Sequence, residues 1–136
     1  DAAKAIEKAK EYGIDVAHYD LLFLKPIDEQ LLTEVAESYD HIITLENGVI
    51  TGGMGDVILE FLASHHYSNI QVTRLGIKDE FISQGTIPEL KHLCNIDVEG
   101  ILKAIINVDQ EIKSPKIVDL LPFNSNNFGK NQSTSN

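Results

Sequence analysis

The sequence predicts an α/β domain built on a largely parallel sheet, and two observations carry that prediction. Short apolar, β-branched runs (Ile14 to Phe23, His41 to Leu45, Ile70 to Leu75) alternate with stretches whose apolar residues recur every three or four positions. Strands that alternate with helices pair in parallel, since each helix returns the chain to the starting end of the sheet. At 136 residues the chain suits one domain with a real core and is too short for two.

Each element follows in order. Ala2, Ala5, Ile6 and Ala9 lie at helical spacing in a segment from Asp1 to Tyr12, and Gly13 is a natural C-cap. The run Ile14 to Phe23, with Val16 and Leu21-Leu22-Phe23, reads as a strand ended by Pro26. Asp28 caps a helix to about Tyr39 whose inner stripe is Leu31, Leu32, Val35, Ala36 and Tyr39. His41 to Leu45 suits a strand covered on both faces. A glycine-bearing loop after Glu46 leads into a helix to about His65, with Val57, Ile58, Phe61 and Leu62 inward, and then to the strand Ile70 to Leu75. Thr86-Ile87-Pro88-Glu89 matches a capping box opening a short helix that ends near Asn95. Asp97 caps the last helix, with Ile101, Leu102, Ile105, Ile106 and Ile112 on its apolar stripe. Residues 1–113 form the domain; residues 114–136, with two prolines and an Asn/Ser-rich end, read as a mostly disordered extension.

Composition narrows the function classes. Residues 1–112 carry 20 acidic and 8 basic side chains, so this body repels nucleic-acid phosphates and anionic lipid. Neither nucleic acid nor membrane is an expected partner. No apolar run approaches the ~20 residues of a membrane-spanning helix. The first residues lack the basic and apolar regions of a signal peptide, and a single cysteine, Cys94, suits a reducing cytoplasm.

One motif in the sequence is a candidate binding site. Gly52-Gly53-Met54-Gly55 follows a strand and opens a helix, where free N–H groups can hold an anion; Glu46 precedes the loop. A dinucleotide fingerprint needs a third glycine where Ile58 stands, so the glycines are expected to serve a tight loop and close helix–sheet packing. Five histidines give no metal-ligand spacing: His65 and His66 are adjacent, and His92 and Cys94 are two apart. No nucleophile elbow or Walker loop is present, and Cys94 reads as a small core residue. The expectation is no catalytic residue and no metal site.

Four segments carry a resemblance. Phe23-Leu24-Lys25-Pro26-Ile27-Asp28 resembles the F-V-K-P-L-D segment of 1-deoxy-D-xylulose-5-phosphate synthases, and Thr44-Leu45-Glu46-Asn47 with Gly52-Gly53-Met54-Gly55 resembles their T-x-E-x…G-G-x-G. Gly76 to Gly85, containing Asp79, Phe81 and Gly85, is similar to their G-x-P-D-x-F-I-x-x-G, and Asn95 to Ile101 to their G-L-D-x-x-G-I. Lys78 stands for a usual proline and Asn95 for a usual glycine.

The resemblance implies a three-layer α/β/α domain like the transketolase C-terminal domain, lacking the strand that precedes the first helix. That strand would lie between those at Val16–Leu22 and His41–Leu45, leaving a gap between them. It also implies a parent transferase that joins pyruvate to glyceraldehyde 3-phosphate with loss of carbon dioxide, using thiamine diphosphate and Mg²⁺ bound by its other domains. Those domains and a second copy, in a homodimer, are the implied partners, and no cofactor is expected on this chain. The competing readings are an anion- or regulatory-ligand-binding module at Gly52–Gly55, and the matching domain of transketolase or a 2-oxoacid dehydrogenase.

Overall fold

A computed structural model describes residues 1–21, 26–78 and 84–113. In order these form α1 (Ala2–Glu11), α2 (Glu29–Ser38), β1 (His41–Val49), α3 (Met54–Ser64), β2 (Gln71–Ile77), α4 (Ile87–Leu93) and α5 (Val98–Lys113). Strands β1 and β2 pair in parallel, with His41 opposite Gln71 and Leu45 opposite Leu75. Beyond Leu45 the register shifts, so that Val49 meets Ile77.

Alternation along the strands divides the core in two. Ile43, Leu45 and Leu75 face one side and pack against Ala5 and Ala9 of α1 and Ile101, Leu102 and Ile105 of α5. Ile42 and Val72 face the other, packing against Leu32 and Ala36 of α2 and Ile58, Phe61 and Leu62 of α3. The expected helix–sheet–helix layering results, because a strand sends successive side chains to opposite faces. Alanines at positions 5 and 9 let α1 approach α5 closely. On α5 the expected stripe is corrected at one place: Ile112 is exposed and Val108 is buried instead. The 3.6-residue period puts Val108, three residues beyond Ile105, on the inner face and turns Ile112 away.

Local sequence sets the helix ends. Helices α1, α3 and α4 all stop in the same way, with residues Gly13, His66 and Asn95 at positive φ. In each case the next amide donates to the carbonyl five residues back: Ile14 N–H to Ala9 O at 3.1 Å, Tyr67 N–H to Leu62 O at 2.9 Å, Ile96 N–H to Lys91 O at 2.9 Å. This is the Schellman closure, which satisfies carbonyls the helix leaves open. Glycine tolerates the left-handed conformation freely and asparagine nearly so, which accounts for Asn95 standing where a glycine is usual.

The strand expected over Ile14–Phe23 is not formed in its described part, Ile14–Leu21. Its alternation is nonetheless strand-like: Ile14 and Val16 pack on the α1/α5 cluster and Leu21 on the α2/α3 cluster. Tyr19 meets Tyr39 edge-on, with ring centroids 6.4 Å apart. The segment thus lies between the layers but lacks a ladder partner, and extended residues count as a strand only when hydrogen-bonded to a neighbour. Among the described residues β1 pairs with β2 alone, so its other edge is open. The extension expected over residues 114–136 lies outside the described residues.

Candidate functional site

The four candidate residues Glu46, Gly52, Gly53 and Gly55 do come together, at the start of α3. Glu46 lies on the α3 face of β1, and its Oε2 accepts the Met54 N–H at 2.6 Å. Asp56, in the first turn, accepts the Gly52 N–H at 2.6 Å through Oδ2. Its other oxygen takes the guanidinium of Arg74, the chain's single arginine. The positive end of the helix is therefore met by two carboxylates of the chain itself, the arrangement its dipole favours.

Each glycine has its own reason. Gly52 has φ +74°, so it makes the turn. A Cβ at Gly53 would fall 2.0 Å from Glu46 Oε1, so only glycine admits the carboxylate there. One at Gly55 would fall 2.5 Å from the Arg74 side chain and 3.1 Å from Thr44 Oγ1, so Gly55 lets the helix press onto the sheet. Two oxygens here are buried without a hydrogen-bonding partner, Thr44 Oγ1 and Glu46 Oε1. Thr44 itself is only 3% exposed. What converges at this place is acceptors and negative charge, a poor cradle for phosphate.

The remaining motif residues are scattered. Asp28 caps α2, its Oδ1 accepting the Leu31 N–H at 2.9 Å. Pro26 is exposed just before it. Gly85 precedes α4 and lies against Glu89, whose carboxylate accepts the Thr86 N–H at 2.8 Å. Lys25, Asp79 and Phe81 lie outside the described residues. Cys94 is half-buried at the end of α4 and outside both core clusters. His41 Nε2 meets Gln71 Oε1 at 2.8 Å across the strand pair, and His92 Nδ1 meets Asp97 Oδ2 at 2.8 Å. The His92 contact, together with the Gly100 N–H, holds the Asp97 carboxyl below the usual range, and the Thr86 bonds do the same for Glu89. Among the described residues no three His, Cys, Asp or Glu side chains cluster as metal ligands. Arg74 was missed in the sequence, since its pairing across to Thr44 and Asp56 is set by register, which no local motif announces.

Residues 1–101 match the family described as "Transketolase, C-terminal domain". The chain belongs to that family. Among curated proteins this transketolase C-terminal domain is 50% identical over 115 residues to the 1-deoxy-D-xylulose-5-phosphate synthase of Bacteroides fragilis, covering 84% of this chain and 18% of the synthase. Over 105 residues it is 50% identical to the Parabacteroides distasonis enzyme, covering 77% and 16%. The domain thus spans less than a fifth of the synthases it resembles. A solved structure, "Split gene transketolase, inactive beta4 tetramer", matches with a TM-score of 0.70 at 27% identity, over 78% of this chain and 34% of that one. The expected α/β fold and the expected transketolase C-terminal family are thereby shown. No helix among the described residues is long and apolar enough to cross a membrane.

Proposed function

We propose that this domain packs against and helps assemble the cofactor-binding part of a cytoplasmic, homodimeric synthase that condenses pyruvate with glyceraldehyde 3-phosphate and releases carbon dioxide. In this reading thiamine diphosphate and Mg²⁺ bind elsewhere in the enzyme, and the domain contributes surface. The 50% identity to such synthases over most of the chain carries the reading. The described residues do not fit the cofactor. A diphosphate needs donors and a metal held by well-placed oxygen ligands, whereas the one loop of suitable shape has its helix start filled by Glu46 and Asp56. The same filling removes the support for an anion- or regulatory-ligand-binding module.

Calorimetry of the 136-residue chain with thiamine diphosphate and Mg²⁺ tests this. No saturable heat is expected. Binding at micromolar concentration would overturn the packing reading and make the glycine loop a site.

A further inference from the structure

Helix α4 is the place in this fold where structure is made without burial. Its seven residues are shorter than the ~12–15 that form a marginal helix alone in water, and such helices are normally held by packing one apolar face. None of its residues joins either core cluster. Ile87 is 72% and Leu93 61% exposed, while Leu90 and Cys94 are half-buried. Beside the helix runs an open groove of about 530 Å³ lined by Gln84, Gly85, Pro88, Glu89, His92 and Leu93. Lys91 pairs with Asp1 at 2.8 Å and His92 Nδ1 meets Asp97 Oδ2 at 2.8 Å, so these polar side chains already have partners within the chain. Exposed apolar side chains beside polar ones that already have partners are the features of a surface that another part of a protein covers.

We propose that the α4 groove is the seat on which the cofactor-binding part of the same synthase docks. This rests on the function proposed above. The lengths favour that occupant over a second copy of the chain. The domain spans 16–18% of its synthase relatives, so more than four-fifths of such a polypeptide lies outside it and must meet it somewhere. Two copies, each with a net charge of −10, would repel each other across so small a patch. Contacts between domains of one chain are typically modest and part-polar, which matches this groove.

The test is a chimera in which this chain replaces the corresponding region of the Bacteroides fragilis synthase, compared with the free 136-residue chain. Amide hydrogens of residues 87–93 should exchange at least ten-fold more slowly in the chimera. Leu93→Glu should abolish that protection and lower the chimera's melting temperature, while leaving the melting temperature of the free chain unchanged. A chimera that is active, yet shows equal exchange in both contexts, overturns the docking surface alone and leaves the proposed function standing. Slow exchange already present in the free chain as a dimer, and lost in Leu93→Glu, also overturns it by making a second copy the occupant. A wild-type chimera that neither assembles nor turns over overturns both readings.

Discussion

Helices α3 and α4 have nearly the same ends and opposite fates. Both begin where a carboxylate accepts a backbone N–H: Glu46 at Met54 for α3, Glu89 at Thr86 for α4. Both close with a residue at positive φ, His66 and Asn95. Yet α3 buries Gly55, Ile58, Phe61 and Leu62, and α4 buries nothing fully. The origin of the capping carboxylate differs in the same sense. Glu89 lies three residues from the group it caps, so α4 is specified locally, whereas Glu46 comes from a neighbouring strand and arrives only when the sheet and α3 pack. End signals decide where a helix starts and stops; burial decides whether the rest of the molecule depends on it.

The sharpest way to break that comparison is truncation in each helix. Phe61→Ala should cost about 3–5 kcal/mol, from lost burial and the cavity left against Leu32 and Ile58, whereas Leu93→Ala in the free chain should stay within about 0.5 kcal/mol. Denaturant titration of the two variants reads the difference, and equal losses would show that α4 is part of the core. Next in size is Gly100→Ala. A Cβ there would fall 2.3 Å from the Asn95 carbonyl oxygen and 2.5 Å from its carbon. Backbone cannot swing aside as a side chain can, so about 1–3 kcal/mol should be lost by overpacking where α4 ends against α5. Gly53→Ala should be milder, because the group it meets is the flexible end of Glu46.

A third measurement concerns pH. The carboxyls of Asp97 and Glu89 are held below their ordinary range in the folded state by His92 with the Gly100 N–H, and by Thr86. Their folded values lie below the unfolded ones, so their stabilisation is complete above the usual carboxylate range and fades as pH falls through the folded values. Asp97→Asn should therefore destabilise at pH 7, by no more than about 1 kcal/mol for a cap of this kind. The gap to the wild type should close in acid unfolding below about pH 4. A gap independent of pH would mean that shape, not charge, does the capping. The smallest expected change has the opposite sign. His66→Gly relieves a left-handed residue at the end of α3 and should stabilise by up to about 1 kcal/mol, visible as a rise of a few degrees in thermal midpoint.

The same contrast explains what the sequence made legible. All five helices were readable, because their caps (Gly13, Asp28, the Thr86–Glu89 box, Asp97) and their 3.6-residue stripes are local. Both strands of the formed sheet were readable from β-branched runs, although β1 continues to Val49 through residues that looked like loop. Pairing was not readable. Ile14–Leu21 has the composition of a strand and none of the ladder, and Arg74 reaches Asp56 only through register and the approach that Gly55 permits. At the candidate site the sequence named Glu46 and the three glycines, and only geometry showed that the carboxylate fills the place an anion would take. His66 gave no warning of its backbone, since histidine does not advertise a left-handed turn as glycine does.

The open edge of β1 has a colloidal consequence. A strand reading His-Ile-Ile-Thr-Leu, with one row of ladder partners unfilled among the described residues, is a template on which any extended chain can hydrogen-bond, including another copy of itself. Neither a proline nor a lysine guards it, for β1 carries only Glu46 as a formal charge. Protection falls instead to the whole surface, whose net charge of −10 keeps copies apart at neutral pH. That protection is long-range and is weakened both by salt, which screens it, and by acidification toward the isoelectric point near 4.8. Shelf life and solubility of the isolated domain are thus set by ionic strength and buffer choice as much as by its core.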